Sequence, residues 1–389
     1  MEFCAIICEF NPLTNGHAYF IEKAKEKSGL PLVAIMSGNF TQRGTPAVLD
    51  KFSRAEIAVK LGCFAVLELP TCFAVSPAQN FAYGAISCVK SLNNITNIAF
   101  GAEWDNLDDL TNIARFELNP TNEFNQALKS ELKLGKNYNA VYSSLLEKFL
   151  PNIKVSEILS GANNILAIEY IKAIIKLKLN LKINLIKRND NGFNSNVEAG
   201  KFLGATGVRE RLNTGEDISA FVPKQTIESL NKFTFDYSGF YNLERLNLAT
   251  NEPKKLSSLF DYCENIEYKL NSLALTKSNI NEIINGCGKR YRTAKITRLT
   301  LYSVLNLTKT KHAKISSEKI AMKLLAIKKS DKSKIKELIS KNSKIIITSK
   351  DYTKPNESLK FDLSSSKIYY SFSNLPISYD LTHGTSFVD

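Results

Sequence analysis

The segment FNPLTNGH, residues 10–17, places a proline, a glycine and a histidine directly after the apolar run FCAIIC. If that run is a buried strand and a helix begins near Gly16, the free N–H groups of the helix start lie at the carboxyl edge of the sheet, where anions are favoured. Gly16 allows a ligand close to the backbone, and Pro12 stiffens the turn. His17 can donate a hydrogen bond to a phosphate oxygen. The segment therefore predicts a phosphate site suited to phosphoryl or nucleotidyl transfer.

Two familiar phosphate-binding motifs do not occur in the sequence. The chain has no GxxxxGK[ST], and no GxGxxG follows its first apolar run, so neither a P-loop nor a dinucleotide fingerprint is predicted. A helix-capping turn with an incidental histidine is the alternative that the residues leave open. The position of the segment favours a ligand site, because ligands bind outside the carboxyl ends of strands in open α/β sheets.

Short apolar runs alternate with amphipathic ones through the N-terminal part of the chain. The runs FCAIIC, LVAIM, FAVLEL and ITNIAF, at residues 3–8, 32–36, 64–69 and 95–100, predict strands. Helical patterns follow them at 16–27, 52–61, 77–92 and 106–116. Fully apolar strands separated by helices are typical of a parallel sheet covered on both faces. The expected fold is α/β, with an N-terminal Rossmann-like domain that binds a nucleotide.

The rest of the chain is predicted to be mainly helical. Helical periodicity covers about 139–179, a further strand is expected at 181–188, and 204–212 is expected to be a loop that opens a short helix. A change of character near residue 220 suggests two domains, 1–220 and 221–389. Residues 343–348 suggest a late strand, and 351–389 give only weak signals.

The basic residues are unevenly distributed. The net charge is +13, and the segment 289–350 holds 18 of the 51 Lys and Arg residues but only 3 of the 38 acidic ones. The remainder of the chain is close to neutral. The C-terminal part is therefore expected to meet a polyanion while the N-terminal part does something else. A solvated, lysine-rich helical face is the alternative.

No stretch of the sequence predicts a signal peptide or a membrane span, because the first apolar run has no basic segment before it and ends at Glu9. The seven cysteines are an odd number and show no CxxC spacing. We expect reduced, buried thiols in a cytoplasmic protein rather than disulfides or a metal site.

The residues Thr14, Asn15, Gly16 and His17 resemble the T/HxGH motif of the nucleotidyltransferase superfamily. A second element of that superfamily is a Ser/Thr-rich loop that ends in Arg and holds the triphosphate. GATGVR, residues 204–209, resembles it and offers Thr206 and Arg209. Gly204 stands where a serine is more usual. The resemblance implies catalytic roles for Thr14, Gly16, His17 and Arg209.

Three longer blocks, residues 36–62, 68–86 and 161–174, look like the signature blocks of the bacterial tRNA(Met) cytidine acetate ligases. IAFGAE at 98–103 and KRYRTAKITR at 289–298 extend the resemblance over nearly the whole chain. The family activates acetate with ATP and acetylates N4 of the wobble cytidine of elongator tRNA(Met). The resemblance thus implies ATP, acetate and elongator tRNA(Met) as partners, with Mg²⁺ accompanying the triphosphate.

The resemblance also implies a set of ATP contacts: Ile7, Cys8, Glu9, Phe10, Asn11, Pro12, Asn15, Gly16, His17, Gly101, Asn163, Arg188 and Thr206. From the residues alone, Gly101 past the fourth strand leaves room for a nucleotide or starts a helix. Asn163 precedes a helix that it can cap. Arg188 follows a strand and points to the ligand edge or is a surface cation.

A polar loop follows the second strand and offers Gly38, Asn39, Gln42 and Arg43 at the same sheet edge, where their donors can meet phosphate or an acyl-adenylate. The basic block offers charge for phosphates and a ring for stacking on an unpaired base. Its residues, Lys289, Arg290, Tyr291, Arg292, Lys295 and Arg298, are the candidates for tRNA binding.

Two other functions compete with the ligase that the resemblance implies. An adenylyl- or cytidylyltransferase acting on a small metabolite would need the same phosphate site but no extended basic surface. A nucleotide-gated RNA-binding protein without catalysis would have no need of His17, Thr206 and Arg209.

Overall fold

Eight strands form one sheet in the computed structural model, which describes residues 1–188, 202–288, 291–340, 344–352 and 355–389. The strands are β1 Phe3–Cys8, β2 Leu32–Ser37, β3 Cys63–Leu69, β4 Ile95–Ala102, β5 Lys182–Lys187, β6 Ala321–Lys328, β7 Lys344–Ile346 and β8 Ser386–Val388. Their order is β5-β4-β1-β2-β3-β6-β7, and β8 pairs with β6. The first five strands are mutually parallel, which confirms the predicted α/β fold.

The strand order creates a switch point between β1 and β4. The chain proceeds from β1 through β2 to β3 on one side, and then returns to place β4 and β5 on the other side of β1. Helices that leave β1 and β4 therefore depart in opposite directions, and a crevice opens at the carboxyl ends of these strands. FNPLTNGH begins at this crevice.

Helices cover the sheet and build most of the C-terminal half. Within the described residues they are α1 Asn15–Ser28, α2 Lys51–Lys60, α3 Thr71–Ala74, α4 Ala78–Ser91, α5 Leu107–Leu118, α6 Asn122–Lys133, α7 Tyr138–Phe149, α8 Val155–Ser160, α9 Ala162–Lys176, α10 Ala205–Thr214, α11 Lys224–Leu230, α12 Tyr237–Thr250, α13 Pro253–Leu256, α14 Ile266–Thr276, α15 Ile280–Gly286, α16 Thr293–Leu305, α17 Lys309–Ser317, α18 Ile335–Leu338, α19 Glu357–Tyr370 and α20 Tyr379–Thr382. None of them is long and apolar enough to cross a bilayer.

The apolar content of the central strands explains their position. Every residue of β2 and β3 is buried, as expected for strands covered on both faces by helices. Local signals set the helix starts: Asp50 caps α2 by accepting hydrogen bonds from the backbone N–H groups of Phe52 and Ser53. The predicted strands and the helices between them agree with the structure to within a few residues.

The C-terminal part of the chain adds strands to the same sheet. β6 pairs antiparallel with β3, and β7 and β8 pair parallel with β6. The predicted late strand is therefore confirmed as β7, whereas β6 was missed in a region read as helical. Its sequence AMKLLAIK is buried except at its last residue. The domain boundary near residue 220 stays a prediction. Strands from both sides of it belong to the same sheet.

A buried ionic cluster fastens this C-terminal part to the N-terminal sheet. The Lys51 Nζ lies 2.7 Å from a carboxylate oxygen of Glu68 and 2.8 Å from one of Asp380, and the Lys323 Nζ lies 2.8 Å from the other oxygen of Asp380. All four side chains are at most 4% exposed. Removing one member would leave an uncompensated buried charge, which typically destabilises a protein by about 3–5 kcal/mol.

Candidate active site

His17 is fixed by the start of α1. Thr14 caps the helix, and its backbone N–H donates to His17 Nδ1 at 3.1 Å, while its hydroxyl accepts from the backbone N–H of His17 at 3.4 Å. Because Nδ1 accepts a backbone hydrogen bond, the proton of the neutral ring is assigned to Nε2. The ring of Phe10 packs edge-on against His17, with 5.2 Å between centroids. His17 thus presents one N–H donor beyond the helix start.

The ring of His17 is neutral at physiological pH. Burial, together with the nearby charges of Arg188 and Arg209, lowers the pKa of His17 from 6.5 to about 3. A neutral imidazole donates a hydrogen bond to a phosphate without acting as an acid. The two arginines supply the positive charge at this edge.

A cavity joins three elements in front of His17. Its lining includes Gly16 and His17 from α1, Arg188 after β5, and Phe202 and Gly204 before α10. A Cβ placed on Gly16 would make only ordinary contacts with the protein, at 3.6 Å or more. The fold itself therefore does not require glycine here, which fits a ligand that approaches the backbone.

The second predicted phosphate element lies opposite the first. Arg209 donates from Nη1 to the backbone oxygen of Asn11 at 2.6 Å and from Nη2 to the Thr206 hydroxyl at 3.1 Å. The N-cap residue of α10 is Gly204, which has no side chain that could accept a hydrogen bond from the first N–H groups of the helix. The structure thus brings Thr206 and Arg209 against the segment that carries His17.

The two loops after β1 and β2 are tied together by Arg54, which is fully buried. Its guanidinium donates to the backbone oxygens of Glu9 at 2.6 Å and Ser37 at 3.1 Å, and also to that of Gly38. Glu9 in turn accepts a hydrogen bond at 2.7 Å from the backbone N–H of Gln42. The predicted polar loop therefore lies beside FNPLTNGH.

The polar loop is tightly confined. A Cβ on Gly38 would lie 2.2 Å from a carboxylate oxygen of Glu68. Gly44 has φ +83°, and a Cβ there would lie 2.8 Å from the backbone of Arg298 in α16. The Asn39 side chain accepts from the backbone N–H of Lys51 at 3.1 Å, whereas Arg43 is exposed. The loop thus connects the sheet edge to the basic block.

Arg188 occupies the space above Gly101. A Cβ on Gly101 would lie 2.9 Å from Arg188 Cγ, and the backbone N–H of Arg188 donates to Ala102 at 2.7 Å. Gly101 lies within β4 rather than past it, because the pairing of β4 with β5 continues to Ala102. The glycine accommodates an arginine, which itself lines the cavity. The expected contact of Gly101 with a nucleotide stays a prediction.

Asn163 lies inside the first turn of α9 and is not its cap. The cap is supplied by Glu103, whose two carboxylate oxygens accept from the backbone N–H groups of Asn163 at 3.2 Å and Asn164 at 2.9 Å. The Asn163 amide also donates to Glu103 at 2.6 Å. Glu103 directly follows β4, so Asn163 is held at the same sheet edge as Arg188.

The remaining predicted nucleotide contacts lie along the same segment. Ile7 and Cys8 end β1, and Phe10, Asn11 and Pro12 are buried beneath the loop. The Asn11 side chain accepts from the backbone N–H of Val48 at 2.8 Å. The Asn15 amide donates to the backbone oxygen of Ala220 at 2.9 Å, which fastens the start of α1 to the turn after α10.

The basic block separates into exposed and buried parts. Lys289 and Arg290 lie outside the described residues. Arg292 is exposed at the N-cap of α16, and the Tyr291 hydroxyl donates to the backbone oxygen of Glu264 at 3.2 Å. Lys295 and Arg298 both pair with Asp261, at 3.2 and 3.0 Å, and Arg298 is only 9% exposed. Arg292 is therefore more exposed to solvent than Lys295 and Arg298.

His312 is buried, away from the site. Its ring stacks on Phe260 at 3.7 Å between centroids, and burial lowers its pKa to about 4. His383 is partly buried and packs on Phe52. None of the seven cysteines forms a disulfide, and five of them are buried, whereas Cys8 and Cys263 are partly exposed. The part of the chain that the structure describes contains no group of three or more His, Cys, Asp or Glu side chains suited to hold a metal ion.

Two residues that organise the site were not found from the sequence. Arg54 lies in an amphipathic helix and Glu103 follows a strand, so both look like ordinary surface charges in sequence. The signal that would have found Glu103 is its position, because it directly follows β4, the strand that neighbours β1 across the switch point.

Comparison with known proteins identifies relatives over the full length of the chain. Residues 1–381 match the family model described as HIGH Nucleotidyl Transferase. The tRNA(Met) cytidine acetate ligase of Clostridium novyi is 34% identical over 399 residues, with 99% of each chain covered. That of Caldanaerobacter subterraneus subsp. tengcongensis is 33% identical, with 97% of each covered.

A solved structure has the same fold. The crystal structure of Thermotoga maritima TmcAL bound with alpha-thio ATP superposes with a TM-score of 0.89 and 24% identity, over 100% of both chains. The family model and the full-length relatives show the classification. The chain belongs to the HIGH nucleotidyl transferases and, among them, to the tRNA(Met) cytidine acetate ligase family.

Proposed function

We propose that this protein activates acetate with ATP and transfers the acetyl group to N4 of the wobble cytidine of elongator tRNA(Met). The observation that carries the proposal is the convergence of His17, Arg188 and Arg209 at the switch point of the sheet. The names of relatives that share a third of this sequence over nearly its whole length support the same activity.

The first step needs a site that stabilises negative charge on phosphate. An acetate oxygen attacks the α-phosphorus of ATP, a bond from oxygen to phosphorus forms, and pyrophosphate leaves. The His17 N–H, the guanidinium of Arg209 and the N-terminus of α1 would hold the charge that develops on the phosphate oxygens. Because a carboxylate is a poor electrophile, forming the acetyl-adenylate prepares its carbonyl for the second step.

The predicted ATP contacts fit one nucleotide that extends along the carboxyl edge. They are contributed by the residues after β1, by Gly101 with Arg188, by Asn163, and by Thr206. In the structure each of these lies at the end of β1, β4 or β5, or at the start of α9 or α10. This arrangement supports their assignment to ATP, which we retain as part of the proposal.

Binding of Mg²⁺ would depend on the nucleotide rather than on a dedicated protein site. Mg²⁺ keeps several waters and commonly binds through phosphates with one or two carboxylates. The described residues provide no carboxylate cluster for it, so they do not fit a resident metal, and we derive no step through one.

The tRNA would approach from the side of α16. The polar loop packs on that helix through Gly44, so the exposed cations at its start lie on the same side of the molecule as the reaction. Tyr291, Arg292 and Lys295 are suited to phosphate binding and stacking. Lys289 and Arg290 remain candidates from the sequence, and Arg298 would act by positioning α16.

Pyrophosphate–ATP exchange, measured with and without acetate, tests the first step. We expect exchange that requires acetate, followed by transfer of labelled acetyl from acetate to a tRNA(Met) transcript. A transcript with uridine at the wobble position is the matched control and should accept no label. Exchange that does not depend on acetate would favour a transferase acting on a small metabolite. Absence of any exchange would favour a nucleotide-gated RNA-binding protein.

A further inference from the structure

Glu9 lies where β1 meets the crevice, and its carboxylate is held on one side only. Its Oε1 accepts from the backbone N–H of Gln42 at 2.7 Å and lies 3.5 Å from the Ser37 hydroxyl. Its backbone oxygen accepts from Arg54. These contacts come from two neighbouring loops and from α2, so the carboxylate has a fixed direction.

The second carboxylate oxygen of Glu9 has a different environment. Among the described residues no donor forms a hydrogen bond with Oε2, and the side chain is partly exposed. Burial raises the pKa of Glu9, although the charges of Arg54, Arg209 and Arg43 act to lower it. The group is thus a stronger base than a carboxylate in water, and one oxygen remains available to a ligand.

Only some groups of the reactants can donate a hydrogen bond to the Glu9 carboxylate. The triphosphate and acetate are both anions, which a carboxylate repels. The adenine amino group lies at the far end of the nucleotide from the reacting phosphorus, whereas Glu9 lies beside Phe10, whose ring contacts His17. The ribose hydroxyls are donors too, but they lose no proton in the reaction. The donor that must lose one is the exocyclic amine of cytosine, and Glu is a known acceptor for cytosine N4.

We propose that the free carboxylate oxygen of Glu9 accepts a hydrogen bond from cytosine N4 and removes its proton during acetyl transfer. This inference rests on the proposed function. The N4 nitrogen attacks the carbonyl carbon of acetyl-adenylate and forms a carbon–nitrogen bond. The bond from that carbon to the phosphate oxygen breaks, and AMP leaves with its electron pair. The N4 proton passes to Glu9 and then to solvent.

A purely structural Glu9 would behave differently. If the carboxylate served only to accept from Gln42 N–H, the amide oxygen of glutamine would replace it, and Glu9→Gln would change both reaction steps equally. If it acts as the base, glutamine preserves the contact with Gln42 but accepts no proton. The ratio of the two step rates therefore separates the two roles.

The experiment measures acetate-dependent pyrophosphate exchange and single-turnover acetyl transfer to tRNA(Met) for the full-length protein and for Glu9→Gln. We expect transfer to fall at least 100-fold more than exchange, in line with the contribution of about 10²–10⁴ from general base catalysis. The exchange rate of the variant also shows that it folds. Glu9→Asp, which retains a base on a shorter side chain, should recover part of the transfer rate.

Glu117→Gln is the matched control, because both oxygens of Glu117 already accept hydrogen bonds, from Tyr142 and Lys172, and the residue lies in α5 outside the site. Its ratio of transfer to exchange should stay at the wild-type value. Equal loss of both rates in Glu9→Gln, or transfer within fivefold of wild type, would overturn the role of Glu9. If the wild-type protein shows no acetate-dependent exchange, the proposed function itself fails, and this inference fails with it.

Discussion

The two ring nitrogens of His17 have separate tasks. Nδ1 accepts from the backbone N–H of Thr14 and completes the cap of α1, whereas Nε2 carries the proton that a phosphate can accept. The sequence predicted the second task from the residue type and its place after the first strand. It also left a capping turn open as an alternative, and the structure shows that His17 does take part in a cap. One residue therefore serves both roles.

Replacing His17 by asparagine tests this division. The Asn side chain places an acceptor at the position of Nδ1 but nothing at the position of Nε2. We expect acetate-dependent exchange to fall about 10²–10³-fold, the usual effect of removing one donor to a developing oxyanion. Urea unfolding should show a change below about 1 kcal/mol. His17→Ala should lose exchange similarly and a further 0.5–2 kcal/mol or so of stability, because the cap is also lost. Retained exchange in His17→Asn would remove the catalytic assignment.

The low pKa of His17 predicts how stability depends on pH. In the folded protein the pKa lies near 3 instead of 6.5, through burial and the charges of Arg188 and Arg209. The unfolded chain therefore takes up this proton first as pH falls. The stabilising contribution is complete above pH 6.5 and is lost progressively as pH falls towards 3.

Urea unfolding at pH 7 and pH 5 measures that contribution when wild type is compared with His17→Asn. Because the ring is partly exposed, solvent screening reduces the effect, and we expect the wild type to lose about 1–2 kcal/mol more than the variant. His312 and the carboxylates titrate in both proteins and cancel in the difference. Parallel loss of stability in the two proteins would contradict the neutral state of His17.

At the scale of elements, the sequence predicted the parallel part of the fold well. Apolar runs such as LVAIM could be recognised as strands, because a strand that helices cover on both faces consists almost entirely of apolar residues. β6 was missed because its lysines, Lys323 among them, resemble the surrounding helical region. Lys323 is buried only through its pairing with Asp380, a contact 57 residues away along the chain that no local pattern reveals. The position of Arg54 beneath two loops could not be predicted for the same reason.

The docking of the polar loop on α16 is tested by Gly44→Ala. A side chain at φ +83° is strained, and its Cβ would lie 2.8 Å from the backbone of Arg298, so the loop or the helix must move. We expect a loss of about 2–4 kcal/mol from strain and overpacking together. Gly29→Ala is the matched control, since Gly29 has φ +67° with no atom within 4 Å. It should cost only about 1–2 kcal/mol, measured by the same urea unfolding. Equal losses of unfolding free energy in the two variants would show that the polar loop is not in close contact with α16.

At the scale of the whole molecule, the basic surplus of the C-terminal segment divides between two edges of the sheet. Arg292 and Lys295 begin α16, which contacts the polar loop at the carboxyl edge of β2. β6 runs antiparallel to β3, with Ile327 paired to Ala65 near the start of β3. The exposed lysines at and after the end of β6, Lys328 and Lys336 among them, therefore lie at the opposite edge. The sequence showed the surplus but not this division, which only the pairing of β6 sets.

This division predicts different roles for two cation pairs of equal charge. Arg292 with Lys295 lies on the side of the reaction, so replacing both by alanine should weaken tRNA(Met) binding and lower the slope of log affinity against log salt by about 1 to 2. Replacing Lys328 and Lys336 removes the same charge at the far edge, about 20 Å away along a strand the length of β3. That double variant should bind tRNA with nearly the wild-type salt slope. Filter binding between 50 and 200 mM salt, about the range in which phosphate contacts are lost, distinguishes them. A larger loss from Lys328 and Lys336 would mean that the tRNA binds across the opposite edge, and that the surface at α16 is only a solvated helical face.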